Sequence, residues 1–218
     1  MNPSSAIRAL ALPVLLSMSG LSHAGLLVYT SQASFMSATT AQGVDTYTGL
    51  SIVGSTPSPL MGTAGTYSYT AAASTSTFYG AGTQANPWLS TNVASDTITF
   101  SNFSGGAQAI GGNFFGSDIL GLFAPGSVRI TAVDQTGTSV QTITDATVTS
   151  FLGFVSTDTL ISLTVAAIQP SGPLWPTVDN LTIGRAAPTQ TNVPEPGSSV
   201  LLLGGLGIMG VLARRRRS

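Results

Sequence analysis

Apolar and polar residues alternate with a period of two along much of the chain between residues 25 and 185. In residues 96–100, Ile98 and Phe100 face one way and Thr97 and Thr99 the other. Val128-Arg129-Ile130-Thr131-Ala132 and Leu181-Thr182-Ile183 repeat the pattern. Successive strand side chains point to opposite faces, so each segment predicts a strand with one buried face. In Leu160–Ile168 the same count puts Ile161, Leu163, Val165 and Ala167 on one face. Further strands are predicted at 26–29, 66–70, 75–79, 108–115 and 148–155, which favour Thr, Val, Ile, Phe and Tyr. Asp134-Gln135-Thr136-Gly137 reads as a hairpin turn between 128–133 and 139–144, with Gly137 free to take a positive φ. One short helix is predicted over 32–38, with Ser31 as its N-cap. Many short strands without strand–helix alternation predict an all-β fold, an antiparallel sandwich.

Both ends break the pattern. Residues 9–18 (ALALPVLLSM) form an apolar run behind Arg8, and Ser22-His23-Ala24 places small residues at −3 and −1 before Gly25. That order predicts a secretory signal peptide over residues 1–24, a helix too short to span a bilayer. Near the other end, Val193-Pro194-Glu195-Pro196 precedes an apolar run over 198–213 and then Arg214-Arg215-Arg216-Arg217. Sixteen helical residues at about 1.5 Å each give about 24 Å. This is short for a hydrocarbon core of about 30 Å, but snorkelling arginines and local thinning close the gap. The arginines hold the cytoplasmic side, which leaves the body of the chain outside that membrane. Gly205-Leu206-Gly207-Ile208-Met209-Gly210 matches a dinucleotide-binding fingerprint by letter, without the preceding strand that fold needs. Small residues in a membrane helix explain it better.

The tail, Pro194-Glu195-Pro196 followed by a short apolar stretch and a basic cluster, resembles that of the bacterial PEP-CTERM proteins. The resemblance implies processing by an exosortase. It also implies a transient stay in the inner membrane, then sorting to the cell surface or extracellular polysaccharide matrix of a Gram-negative bacterium. The body is similar to a recurring ectodomain of that group. The matching pieces are Ala33-Ser34-Phe35, Gly111-Gly112-Asn113-Phe114-Phe115, Ser150-Phe151-Leu152-Gly153-Phe154 and the closing Asp179-Asn180-Leu181-Thr182-Ile183-Gly184. That likeness implies a jelly-roll-like sandwich of the kind seen in carbohydrate-binding modules and lectins. Where the group usually has Asp-Phe-Glu, this chain has Asp45-Thr46-Tyr47. The expected organisation is a signal peptide over 1–24, a sandwich over 25–185, a linker over 186–192 and a sorting segment over 193–218.

Composition then narrows the chemistry. The 218 residues include no cysteine, a single histidine and only 7% charged residues. All seven basic residues are arginine. Disulfides, thiolate metal sites, a cysteine nucleophile and a lysine Schiff base are excluded. His23 leaves with the leader, so no imidazole remains to activate a serine. The body keeps Arg129 and Arg185 against seven aspartates, a balance of −5, which argues against a nucleic-acid partner. No catalytic residue is expected, and the protein is read as a non-enzyme. The alternative is a polysaccharide-active hydrolase or lyase using paired aspartates. Against it, Asp118, Asp134, Asp145 and Asp158 sit in turn contexts and read as solvated.

A structural calcium needs only oxygen ligands. Asp179 is its candidate ligand, because it shares the parity of Leu181 and Ile183 and is expected to turn inward. Candidate glycan contacts are Trp88 in Asn86-Pro87-Trp88 and Trp175 in Pro173-Leu174-Trp175-Pro176, both expected in proline-bearing loops. The sequence thus describes an exported structural or adhesive matrix component with weak glycan binding, an exosortase for a partner and contact with the membrane only before processing.

Overall fold

The computed structural model describes residues 25–52, 54–169 and 172–188. The signal helix expected over 1–24 and the membrane helix expected over 198–213 lie outside them. The first compact unit of the chain ends at Ala186. It opens with β1 (Leu27–Tyr29), α1 (Gln32–Ser37), β2 (Thr39–Asp45), β3 (Ser55–Thr56), β4 (Leu60–Ala64) and β5 (Tyr67–Ala73). Next come β6 (Phe78–Thr83), β7 (Asn86–Thr91), β8 (Thr97–Ser101), β9 (Ala109–Ser117) and β10 (Phe123–Ala124). The unit closes with β11 (Gly126–Asp134), β12 (Thr138–Ala146), β13 (Phe151–Val155), β14 (Leu160–Ile168) and β15 (Trp175–Ala186).

All pairings are antiparallel and form two sheets. The larger runs β1-β13-β9-β15-β7-β6-β3, with β10 beside β9 and β2 beside β15. The smaller runs β12-β11-β14-β8-β5-β4. The chain crosses repeatedly from one sheet to the other, giving a jelly-roll-like β-sandwich as expected from the alternation. Its core lies between the sheets, with Phe78, Leu89, Phe114 and Val178 from the larger packing with Ile98, Phe100, Val128 and Leu163 from the smaller. Each of these is fully buried, which stabilises the fold by about 1.5–3 kcal/mol per side chain relative to exposure.

Two bulges correct the parity read from sequence. The β11–β14 register shifts at Asp134, which pairs with Leu160. Leu160 therefore turns into the core and Ile161 is half exposed, although strict alternation put Ile161 inside. On β15 the register with β9 jumps from Asp179↔Asn113 to Thr182↔Gly111, and Asn180 takes φ +52°. Val178 and Leu181 consequently both face the core. Asp179 is inward in the sense of being buried, at 5% exposed, yet it lies on the opposite face from Leu181. Asparagine tolerates the left-handed conformation the bulge requires.

Other local expectations are adjusted. The helix forms with Ser31 at its N-cap position, but the Ser31 side chain makes no capping bond. The 134–137 hairpin turn forms, with the Asp134 amide donating to the Gly137 carbonyl, yet Gly137 does not take positive φ. Trp88 and Trp175 lie within β7 and at the start of β15 rather than in loops. Pro87 fits because β7 pairs with β15 only at Leu89 and Ser90, so no ladder donor is missed on that side.

The outer face of the larger sheet divides in two. On the β13–β9 side, Phe35 of α1 packs on Ala109, Phe151 and Val155. A Cβ at Gly153 would stand 2.4 Å from the Phe35 ring, so glycine is needed for the helix to dock there. On the β6–β7–β15 side no helix covers the sheet among the described residues, and a pocket opens.

Candidate functional site

The register places the residues of this pocket. Ser90 lies opposite Tyr79 on β6 and opposite Thr177 on β15, and Thr177 lies opposite Phe115 on β9. Directly paired residues share a face, and Leu89, Phe114 and Val178 take the core side, so this row is on the outer face. Trp175, two residues before Thr177, joins it. Tyr79, Ser90, Thr91, Asn92, Asp118, Ile119 and Trp175 line a concavity of about 180 Å³. This is smaller than the roughly 300–1,000 Å³ of drug-sized ligand sites and suits one ring of a longer chain.

Ser90 joins the pocket to a buried hydroxyl cluster. Thr177 Oγ1 donates to Ser117 Oγ at 2.8 Å, and Ser90 Oγ donates to the Pro176 carbonyl at 3.0 Å. These bonds tie β7, β9 and β15 together. The pocket's wall is the loop between β9 and β10. Asp118 Oδ1 accepts the amides of Leu120 and Leu122, each at 2.9 Å, and the Gly82 amide donates to the Gly121 carbonyl at 2.8 Å. Gly121 takes φ +75°, and a Cβ there would stand 3.0 Å from Ala81 Cα and 3.1 Å from the Tyr79 ring. The braced loop presents Ile119 and Leu120 to solvent at 74% and 72% exposure.

Trp88 is not part of this concavity. Its indole packs edge-on against Phe115, with centroids 4.9 Å apart, and against the main core. Trp88 Nε1 is buried without a hydrogen-bond partner among the described residues. The two tryptophans proposed from sequence thus occupy different environments, one packed and one lining a pocket.

The aspartates are mostly committed locally. Asp179 Oδ1 accepts the Asn180 amide at 2.7 Å and Oδ2 the Asn180 side-chain amide at 3.0 Å, with Asn86 a further donor. Burial nevertheless raises its carboxyl above the usual range. Its surroundings are amide donors. Among the described residues there is no group of three or more acidic or histidine side chains able to hold a metal ion. Asp134, expected to be solvated, is instead buried at 3% exposed, and Asp96 is buried at 2%. Burial pushes both carboxyls up, but hydrogen bonds outweigh it and hold them below the ordinary value. Ser76, Thr75 and Ser74 supply those bonds to Asp96, and Ser156, Thr136 and Gly137 to Asp134.

A second, more open groove of about 400 Å³ is lined by Asp45, Tyr47, Leu50, Leu60, Met61 and Tyr69, among others. Asp45 Oδ1 accepts the Tyr47 amide at 2.7 Å and Oδ2 the Tyr69 hydroxyl at 2.6 Å, so its carboxylate is already engaged. Burial, then the bond to Asp45, raises the Tyr69 phenol far above its ordinary value. Tyr47 is raised too, by burial first and then by neighbouring Tyr69 and Asp45. The Tyr47 hydroxyl feels that of Tyr69 but is not in hydrogen-bonding geometry with it. This groove was not foreseen; the only hint was the Asp45-Thr46-Tyr47 departure.

Comparison with known families finds the PEP-CTERM protein-sorting motif at residues 192–217. The chain carries a PEP-CTERM sorting signal. Val193, Pro194, Glu195, Pro196 and the Arg214–Arg217 cluster all fall within the matched span. The PEP-CTERM signal marks an exported protein, held transiently in the membrane and processed by an exosortase. No curated protein matches the chain. Among solved structures, the chain is similar to a mutant family 29 carbohydrate-binding module complexed with mannohexaose. Identity is 11%, coverage is 65% of this chain and 89% of that one, and the TM-score is 0.31. A likeness of that size assigns no ligand here.

Proposed function

We propose that this PEP-CTERM protein is a non-catalytic component of the cell surface or extracellular matrix of a Gram-negative bacterium. In this reading its sandwich binds a glycan of the surrounding polysaccharide through the Trp175–Tyr79 pocket. The supporting observation is the pocket itself. Two aromatic side chains, Tyr79 on β6 and Trp175 on β15 to either side of β7, line one small concavity with the polar Ser90, Thr91, Asn92 and Asp118. Aromatic surfaces take the apolar face of a sugar ring while polar groups bond its hydroxyls. A binding role also suits a body whose buried aspartates are occupied by local donors. A glycan array probed with the chain and with Trp175→Ala tests the reading. Binding that the substitution reduces at least tenfold supports it; no binding, or binding the substitution leaves unchanged, refutes it.

A further inference from the structure

We propose that this pocket selects glycans by charge, favouring amino sugars over neutral ones and disfavouring uronate-bearing chains. The inference rests on the glycan reading above and concerns Asp118. The carboxylate of Asp118 lines the pocket, and its position is set by the loop it braces. Oδ1 is used by the amides of Leu120 and Leu122, while Oδ2 accepts no hydrogen bond among the described residues. A carboxylate with a spare oxygen at a polar rim attracts an ammonium group and repels another carboxylate.

Among the described residues no arginine lines the pocket, so none offsets that charge there. Arg129 is on β11 of the other sheet, exposed between the buried Val128 and Ile130. Arg185 is on β15 itself but ten residues beyond Trp175, about 30 Å along an extended strand. That exceeds the screening length of about 8 Å at physiological salt several times over. The body as a whole, with two arginines against seven aspartates, adds to the repulsion of a polyanion.

The test titrates the full chain in detergent with three oligomers of equal length at pH 6: β-linked glucose, β-linked glucosamine and a uronic acid. An exposed ion pair supports about a two- to fivefold preference at 0.15 M salt, growing as salt is lowered. Glucosamine binding tightest and uronate weakest is the expected order. Asp118→Asn keeps the Oδ1 acceptor for the loop amides and is expected to lose the glucosamine-over-glucose preference, whatever its effect on the glucose oligomer itself. Uronate binding as tightly as glucose overturns the inference, as does a preference that survives Asp118→Asn or ignores salt. If none of the three binds, the glycan reading fails, and the selectivity with it.

Discussion

Asp134→Ala should destabilise the sandwich by about 2–3 kcal/mol at pH 7. Asp134 closes the β11–β12 hairpin through Oδ1, which accepts the Thr136 amide, the Thr136 hydroxyl and the Gly137 amide at 2.7–2.8 Å. Through Oδ2 it takes the Ser156 hydroxyl at 2.5 Å, linking that hairpin to the end of β13. Thr136 and Gly137 are exposed, so water replaces their lost acceptor. Ser156 is buried and does not regain one. Hydrogen bonds to charged groups contribute about 1.5–3 kcal/mol, and a stranded buried donor costs about 1–3 kcal/mol, so Ser156 sets the total. For a domain of this size the loss lowers Tm by about 4–12 °C. Asp134→Asn retains an Oδ1 acceptor and should lose less, under about 1.5 kcal/mol. Because the folded carboxyl is held below its unfolded value, its stabilisation is complete above an unfolded pKa of about 3.9 and is lost as pH falls through the folded value. Circular dichroism melts from pH 7 to pH 2.5 check both points. An alanine variant that melts with the wild type, or an asparagine penalty constant across that range, refutes the reasoning.

The other expectations follow from the same contacts. Trp88→Ala should cost about 3 kcal/mol by opening the packing on Phe115, whereas Trp175→Ala should cost less than about 1 kcal/mol; paired thermal melts separate them. Gly121→Val places a Cβ 3.0 Å from Ala81 Cα in a left-handed conformation, at about 1–2 kcal/mol. It should shift the loop carrying Asp118 and Ile119 and weaken glycan binding more than it lowers Tm. Deleting residues 194–218 removes most of the sorting signal, so fractionation should find the protein in the periplasm or medium. Unchanged surface attachment contradicts the sorting reading.

Much of the sandwich was legible because its strands obey period two wherever the pairing is regular. Ile98 and Phe100 on β8, and Val128, Ile130 and Ala132 on β11, all reach the core as counted. The count fails where a strand bulges, since an extra residue such as Asn180 carries no apolar signature of its own. That is why the buried Asp179 was expected on the Leu181 face. Prolines misled for a related reason. Pro87 reads as a loop marker, yet a strand accepts it where no neighbour needs its N–H. Of the seven residues lining the candidate site, Trp175 was legible as a glycan contact. Ser90, Asn92 and Asp118 were not, because they come from separate segments and meet only through sheet order. The sorting signal is local in sequence, and it was readable in full.

The central claim, a glycan seated on Trp175, is tested most directly through the two indole N–H signals in a ¹H–¹⁵N spectrum. Trp88 Nε1 is buried against the core, whereas Trp175 lines the pocket. Adding a glycan that binds should shift the Trp175 signal and leave that of Trp88 in place. A shift of Trp88 alone, or of neither at saturation, contradicts the account.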